Sequence, residues 1–425
     1  MTELTFRLPF RGSGNGLPHG VQGAADPAFA CTLNAFARLF PGRRFGGGAL
    51  CVYLHGEPVV DVWTGWSDRA GTRYWTADTG AMVFSATKGM ASTVIHRLAD
   101  RGLIDYDAPV ASYWPEFGAN GKSNITVRDV MRHRAGLSQL GGVTKADLLD
   151  HRRMEERLAA APVNQLQYGK PAYHALTYGW LLSGLARAVT GRGMRELIRT
   201  ELAAPLGVDG LHLGRPPAGA PTEAAQTLLP QRLPPLPGAD LVAPRLAGLP
   251  FAGFLGSIYF PGMVGAMQGE MPFLDSEIPS ANAVATARGL ARMYGAIANG
   301  GRIGDTQFLS AHTVAALTGQ TDLTPDRNVL VPLSFHLGYH GVPFGVVPGF
   351  GHVGLGGCYG WAEPDRGLAI GFVHNRLVTP MVFDQATFVG LNTLVRRDAA
   401  RAERRGYTAV PELGARYRVL HPVAG

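Results

Sequence analysis

Four consecutive residues, Ser85-Ala86-Thr87-Lys88, place a hydroxyl group and a primary amine three positions apart. On a helix, residues at this spacing lie on one face, so the serine Oγ and the lysine Nζ can approach within hydrogen-bonding distance. Residues 82–84 before the turn and most of residues 90–95 after it are apolar, and burial among them would lower the pKa of the lysine. Lowering that pKa from about 10 to about 7 requires about 4 kcal/mol, which burial can supply. The lysine could then take the proton of the serine and make it a nucleophile.

The same residues also have a purely structural interpretation. Ser85 stands at the start of a predicted helix, residues 85–101, where capping serines are common, and Lys88 would then be an ordinary surface residue. A serine and a lysine at this spacing also occur by chance in many chains. The apolar neighbours favour the catalytic hypothesis, and free N–H groups of the first helical turn would supply part of an oxyanion hole.

An antiparallel sheet and several helices are predicted to position this turn. Residues 48–54 and 59–65 are strand-like, and the Gly and Pro of His55-Gly56-Glu57-Pro58 between them predict a hairpin. Later strands are predicted over residues 335–339, 349–360 and 368–374, and helices over residues 26–40, 85–101, 126–132, 178–190, 194–203, 280–299 and 384–405. The order predicts an α/β fold of the α+β type. Residues 1–84 and 303–425 would form the sheet domain, and residues 85–302 an inserted, mainly helical domain.

The Ser-x-x-Lys turn resembles the signature of the serine β-lactamase and penicillin-binding-protein superfamily, in particular its esterase branch, the family VIII carboxylesterases. The resemblance extends from about residue 20 to residue 397. Residues 102–117 (GLIDYDAPVASYWPEF) and 125–137 (ITVRDVMRHRAGL) are similar to the segment that follows the nucleophile helix in this superfamily. This pair of segments is far more specific than Ser-x-x-Lys alone. The resemblance implies a β-lactamase-like fold, a covalent acyl-enzyme on the serine, and neither cofactor nor metal.

The second motif of the superfamily is Y-x-N or Y-x-S, and residues 171–192 resemble its esterase form. Tyr173 takes the tyrosine position, and Ala175 stands where penicillin-acting members have an amide or hydroxyl. The resemblance implies that this tyrosine, coupled to the lysine, passes a proton between the serine and the leaving group. Tyr173 could instead pack as a core aromatic, and Tyr168 and Tyr178 are nearby alternatives.

The third motif is K-T-G in penicillin-acting members, and His352-Val353-Gly354 resembles its H-x-G variant. Gly354 would let a substrate backbone come close, and the N–H of Leu355 would be the second oxyanion donor. A strand glycine without function and a motif framed on residues 355–357 are alternatives. Replacing the lysine of this motif by a mostly neutral histidine removes a fixed cation, so neutral esters fit better than β-lactams.

Ser280-Ala281-Asn282 also invites comparison with S-D-N. We reject this comparison because the triplet comes too late in the chain, and because its Ser and Asn are predicted to cap the helix over residues 280–299. Before it lies a proline- and glycine-rich but apolar span, residues 205–279. We predict that this span forms a wall or lid over the acyl pocket, lined by Phe251 and Phe254.

Composition excludes several other classes. Hydrophobic residues are 46% and charged residues 17% of the 425, and the net charge of +7 is scattered without a basic stripe, which argues against nucleic-acid binding. No G-x-S-x-G or H-E-x-x-H pattern occurs; His336 and His340 are four apart without a further metal-ligand motif.

The chain also has features that bear on its compartment. Three cysteines without CxxC spacing and an N-terminus without an apolar signal core predict a cytoplasmic protein. Residues 246–267 carry no charge, but Pro250 and Pro261 argue against a membrane-spanning helix.

The sequence therefore predicts a serine carboxylesterase that hydrolyses short-chain acyl esters through Ser85, Lys88 and Tyr173. β-Lactamase, D-aminopeptidase and acyltransferase activities on the same fold remain alternatives. A non-catalytic binding module of this fold is an alternative of another class, against which the intact serine, lysine and tyrosine weigh.

Overall fold

A computed structural model describes residues 16–229, 253–260, 272–319, 322–377 and 381–419, without the side chains of residues 381–385. The strands are β1 Val21–Ala25, β2 Gly47–Leu54, β3 Glu57–Gly65, β4 Thr79–Met82, β5 Leu211–Leu213, β6 Glu223–Ala224, β7 Ala283–Ala285, β8 Arg302–Ile303, β9 Thr306–Gln307, β10 Phe335–His336, β11 Tyr339–His340, β12 Phe350–Val353, β13 Tyr359–Glu363 and β14 Leu368–His374. The α-helices are α1 Ala30–Arg38, α2 Thr87–Asp100, α3 Val127–Met131, α4 Lys145–Leu149, α5 His151–Ala160, α6 Thr177–Thr190, α7 Met194–Leu197, α8 Ala204–Leu206, α9 Gly253–Ile258, α10 Ala287–Ala298, α11 Ala311–Leu317 and α12 Met381–Arg405. A π-helical segment, Ile198–Ala203, joins α7 to α8.

The main sheet of the described residues is antiparallel, with strand order β1-β3-β2-β14-β13-β12-β11-β10. Its strands come from both ends of the chain, as predicted. The hairpin of β2 and β3 is confirmed: its turn residues His55 and Gly56 both have positive φ, 50° and 83°, as tight hairpin turns require.

Helices cover both faces of this sheet, which explains why every residue of β2 and β14 is buried. Phe36 of α1 and Phe388 of α12 belong to the apolar cluster on one face. On the other face α10 packs against β2, β13 and β14. Although α10 falls within the predicted helical domain of residues 85–302, it packs on the sheet; the domain boundaries themselves stay a prediction.

The helical region is built around α2, of whose 14 residues 11 are buried. It packs against α6 and the π-helical segment. A small sheet with order β5-β7-β4-β6 leads into this helix, because β4 ends three residues before Ser85. The nucleophile candidate therefore lies where a strand passes into the most buried helix of this region.

The predicted helix over residues 280–299 is wrong at its start. Residues 283–285 form β7, which pairs between β4 and β5, and α10 begins only at Ala287. Thr286 is the N-cap, its Oγ1 accepting from the N–H of Gly289 at 3.0 Å. Strand pairing with distant partners thus overrides the local helical pattern, and Ser280 and Asn282 do not cap the helix.

Other boundaries differ in the same way. The strand predicted over residues 335–339 is a hairpin of two short strands, turning at Leu337 and Gly338, which both have positive φ. The run 349–360 divides into β12 and part of β13. Of residues 246–267, the structure describes 253–260, which contain the six-residue α9. Among all described helices, none has both the length and the hydropathy needed to cross a bilayer.

Candidate active site

Ser85 lies in a 3-10 turn, Phe84–Ala86, between β4 and α2. Its side chain does not cap the helix, contrary to the structural interpretation, and it is partly exposed. The preceding residue, Phe84, has φ of 46°, which is unusual for a bulky side chain and costs backbone energy. The N–H of Val83 donates to the carbonyl of Ala283 at 2.9 Å, which anchors the end of β4 to β7.

Lys88 is fully buried, and its Nζ has three neighbouring oxygens. They are Ser85 Oγ at 3.1 Å, the carbonyl of Ala175 at 2.7 Å and the carbonyl of Ser280 at 3.1 Å. Burial holds the pKa of Lys88 well below that of an ordinary lysine. A neutral amine has two N–H bonds and one lone pair. If the two carbonyls take the N–H bonds, the lone pair faces Ser85.

Tyr173 completes the contact around the serine. Its hydroxyl donates to Ser85 Oγ at 2.9 Å, and Lys88 Nζ lies 5.0 Å from the centre of its ring. Burial raises the pKa of Tyr173, so its phenol stays protonated at neutral pH. The hydroxyl of Tyr178 bonds Ser92 instead, and Tyr168 is an exposed residue. Of the three tyrosines considered from the sequence, Tyr173 is the one that the structure brings to Ser85.

Tyr173 is held by contacts to its backbone and to its ring. It lies in an irregular segment before α6 rather than in a helix. The Asn328 side chain donates to its carbonyl at 2.9 Å. The ring of Phe335 stacks on it, with centroids 5.6 Å apart and an angle of 10°, and His133 lies 5.1 Å away. These contacts come from residues far apart in sequence.

Gly354 follows β12 and lies against the nucleophile turn. A Cβ on this glycine would fall 2.1 Å from the carbonyl oxygen of Val83, so no larger residue fits without moving the backbone. Leu355 comes next and is partly exposed. Its N–H donates no hydrogen bond to the part of the chain that the structure describes, which leaves it available to a ligand. The alternative position for the third motif, residues 355–357, contains Gly356 and Gly357. Their φ angles of 87° and 92° are positive, as the turn from β12 to β13 requires.

His352 belongs to a group of four histidines near Tyr173 and Phe335, of which His133, His174 and His352 are buried and His340 is partly buried. His133, His340 and His352 have ring contacts with Phe335, and His174 has one with His133. Burial lowers the pKa of all four, to about 4 for His174 and His340. They are therefore neutral at pH 7 and provide no fixed positive charge. The Nδ1 of His352 lies 3.2 Å from the Val353 carbonyl, and its Nε2 has no partner among the described residues.

Phe254 lies on α9 and packs, with Ile258, against a small cluster that contains Tyr173. This places one of the two predicted pocket residues in the cluster of Tyr173, whose hydroxyl contacts Ser85. Phe251, the other, lies outside the described residues. Within the described ranges, no group of three or more His, Cys, Asp or Glu is arranged to hold a metal ion.

The sequence reasoning missed the carbonyl groups of Ala175 and Ser280. Both belong to triplets that had been compared with superfamily motifs, but a backbone carbonyl has no side-chain signature. The Ser280-Ala281-Asn282 triplet was rejected as a helix start, whereas its first residue contacts Lys88. Its Ser-x-Asn pattern was the signal available in the sequence.

The fold combines an antiparallel sheet with helices, and it brings the side chains of Ser85, Lys88 and Tyr173 into contact. The beta-lactamase family model matches residues 33–393, so the chain belongs to that family and is a serine hydrolase. It is 63% identical over 408 residues to Esterase/beta-lactamase LipL of Mycobacterium tuberculosis (strain ATCC 25618 / H37Rv), which covers 95% of each protein.

Solved structures show the same fold. A family VIII carboxylesterase superposes with a TM-score of 0.77 at 31% identity, covering 89% of this chain and 99% of that chain. A penicillin-binding protein homolog from Caulobacter crescentus superposes with a TM-score of 0.75 at 29% identity, covering 89% and 99%. The predicted β-lactamase-like fold is therefore confirmed.

Proposed function

We propose that this protein is a serine carboxylesterase that hydrolyses short-chain, neutral acyl esters through an acyl-enzyme on Ser85. The observation that carries the proposal is that Ser85 Oγ lies 3.1 Å from Lys88 Nζ and 2.9 Å from the Tyr173 hydroxyl. The words "esterase" and "carboxylesterase" in the names of similar proteins support it.

Lys88 acts as the base for the first step. In its neutral form it donates to the carbonyls of Ala175 and Ser280 and accepts the proton of Ser85. The serine oxygen then bonds the carbonyl carbon of the ester. Tyr173 gives its proton to the departing alkoxide, the carbon–oxygen bond of the ester breaks, and the proton on Lys88 restores the phenol.

Water completes the cycle. It attacks the acyl-enzyme and gives up a proton to the lysine and tyrosine pair, the bond from the acyl carbon to Ser85 breaks, and the serine regains its proton as the acid leaves. The negative oxygen in both tetrahedral states is held by the N–H of Ser85 and by the unengaged N–H of Leu355.

The neutral surroundings of the serine favour neutral esters. The four histidines near Tyr173 carry no charge at pH 7, so a substrate carboxylate would find no cation among them. Phe254 lines the acyl pocket and His352 with Gly354 forms its far wall. Of the predicted wall or lid over residues 205–279, helix α9 is the described part beside this pocket, and residues 230–252 and 261–271 lie outside the described residues. The enzyme is cytoplasmic and needs neither cofactor nor metal.

β-Lactamase activity is the second candidate, because the 63% identical relative is named for both activities. Nitrocefin and p-nitrophenyl acetate distinguish them: turnover of nitrocefin comparable to that of the ester would reverse the order. Transfer of the acyl group to an added alcohol, and release of D-amino acids from peptides, test the acyltransferase and D-aminopeptidase alternatives.

The proposal is tested with Ser85→Ala and Lys88→Ala. We expect both to lose at least about 10²-fold in p-nitrophenyl acetate hydrolysis. Activity of either variant within tenfold of the parent would overturn the assignment. A fluorophosphonate probe followed by mass spectrometry should label the peptide that contains Ser85, whereas a binding module would give no adduct there.

A further inference from the structure

A tight turn over residues 278–282 presents the Ser280 carbonyl to Lys88. Asn282 is fully buried and holds this turn closed. Its Oδ1 accepts from the N–H of Ile278 at 3.1 Å, and its Nδ2 donates to the carbonyls of Phe273 and Ser276 at 2.7 and 2.8 Å. All of the hydrogen-bonding groups of this amide are therefore used to shape the turn.

Ser280 fastens the turn to α6. Its Oγ accepts from the N–H of Gly179 at 2.6 Å. The two segments touch so closely that a Cβ on Gly179 would lie 2.5 Å from the Ser280 nitrogen. The side chain of Ser280 thus bonds one helix while its carbonyl, 3.1 Å from Lys88 Nζ, faces another.

Ala283, the residue after this turn, is hydrogen-bonded to residues on both sides of Ser85. The N–H of Ala283 donates to Thr87 Oγ1 at 3.0 Å, and its carbonyl accepts from the N–H of Val83 at 2.9 Å. These bonds fix the distance of the turn from Ser85 and Lys88. A small shift of the turn would therefore change the contact between the Ser280 carbonyl and Lys88 Nζ.

We infer that Ser280 and Asn282 are positioning residues, which hold the Ser280 carbonyl against Lys88 so that the free electron pair of the amine points at Ser85. This inference rests on the proposed function. With both carbonyls in place, each N–H of the neutral amine has an acceptor. Without the Ser280 carbonyl, one N–H turns to the serine oxygen instead, an orientation from which Lys88 cannot accept a proton.

The titratable groups that face Lys88 do not titrate in the pH range in which Lys88 is expected to lose its proton. They are Tyr173, His133, His174 and His352. Burial lowers the pKa of all three histidines, to about 4 for His174, and raises the pKa of Tyr173. The histidines therefore lose their protons at lower pH, and Tyr173 loses its proton at higher pH. A rise of kcat/KM with pH between these two limits reports the loss of a proton from Lys88.

Ser280→Ala and Asn282→Ala test the inference, with Ser183→Ala and Asn392→Ala as matched controls. Ser183 is a buried serine of α6 that bonds Glu155, and Asn392 is a buried asparagine that bonds the carbonyl of Phe388. Each control loses one buried hydrogen bond away from Lys88, as Ser280→Ala does beside it, whereas Asn282→Ala loses three. The melting temperature of all four variants is therefore measured, so that a loss of catalysis can be separated from a loss of folding.

We expect kcat for p-nitrophenyl acetate and the rate of Ser85 phosphonylation to fall about 10- to 100-fold in the two turn variants, with KM nearly unchanged. The ascending limb of the pH profile should move to lower pH by about half a unit or more, because the charged amine loses an acceptor. Ser280→Thr, which keeps the hydroxyl, should restore most of the rate.

The inference would be overturned if kcat and the pH profile of the two turn variants matched those of the controls. It would also be overturned if Ser280→Thr were no more active than Ser280→Ala. If Asn282→Ala does not fold, Ser280→Ala, which loses only a hydroxyl, decides by itself. Full activity of Ser85→Ala would instead refute the proposed function. Inactive Ser85→Ala and Lys88→Ala together with control-like turn variants would refute only the positioning role.

Discussion

At the scale of single residues, the chemistry depends on an amine that is buried and still hydrogen-bonded. Lys88 has no carboxylate partner within hydrogen-bonding distance among the described residues; its neighbours are two carbonyls and a hydroxyl. Such surroundings remove water but offer no counter-charge, so burial dominates and lowers the pKa. The amine is thereby suited to accept a proton near neutral pH.

The pH dependence of kcat/KM should show this directly. Below the pKa of Lys88 the amine is protonated and cannot act as a base, so the rate should rise with pH and level off well below the pKa of an ordinary lysine. Lys88→Arg, which stays charged, should lose about 10²- to 10⁴-fold and show no such rise. Lys145→Arg, at an exposed position, should match the parent.

Tyr173→Phe should separate the hydroxyl from the ring. The stacking on Phe335 is retained, so the melting temperature should change little, while kcat falls about 10²-fold or more because the leaving alcohol lacks a proton donor. Tyr178→Phe is the matched control, since it also removes a buried hydroxyl but one bonded to Ser92. Equal effects on kcat in the two variants would contradict the role of Tyr173.

At the scale of elements, the site depends on close backbone approach between β12 and the nucleophile turn. Gly354→Ala should destabilise the protein by about 1–3 kcal/mol and lower activity, because the added methyl meets the Val83 carbonyl. Gly390→Ala, on α12 with open space around it, should stabilise by up to about 1 kcal/mol. Urea unfolding measures both; a neutral Gly354→Ala would show that the approach is not required.

Helix α9 is expected to set the size of the acyl group. Phe254 packs in the cluster that contains Tyr173, so Phe254→Ala should open space beside the serine. The ratio of kcat/KM for p-nitrophenyl butyrate to that for the acetate should then change about threefold or more, as for one or two methylenes in an apolar pocket. An unchanged ratio would remove Phe254 from the pocket.

At the scale of the whole molecule, a buried ion pair connects the sheet, α10 and the C-terminal segment. Arg288 bonds Asp61 of β3 at 2.8 Å, and both side chains are about 5% exposed. The same carboxylate accepts from the N–H of Leu413 at 3.2 Å. Next along the segment, the N–H of Ala415 donates to Asp78 at 2.6 Å. The C-terminal residues are thus held to both the main sheet and the segment before β4.

Arg288→Met should cost about 3–5 kcal/mol of unfolding free energy, because it leaves the Asp61 carboxylate buried without its cation. The double variant with Asp61→Leu should cost less than the sum of the single changes. Arg128→Met is the control: its partner Asp107 is 69% exposed, so we expect a loss below about 1 kcal/mol. Additive effects at Arg288 and Asp61 would contradict the coupling.

Much of the fold could be predicted because its signals are local. The β2–β3 hairpin follows from a turn sequence, α6 ends at Gly191, which takes the left-handed conformation, and β14 was predicted with its exact limits. The errors lie where distant strands compete with a local pattern. Residues 283–285 have a helical pattern, but pairing with β4 and β5 satisfies their backbone groups and delays the helix.

The sequence by itself determined the spacing of Ser85 and Lys88, because residues three positions apart in a helical turn lie on the same face. It also determined the motif positions of Tyr173 and Gly354. Only the tertiary structure decided what surrounds the amine. The carbonyls of Ala175 and Ser280 reach Lys88 across 87 and 192 residues of chain. Every residue has the same backbone carbonyl, so the residue type does not indicate which carbonyl will contact the lysine. The packing of α2, α6 and the turn before β7 determines it.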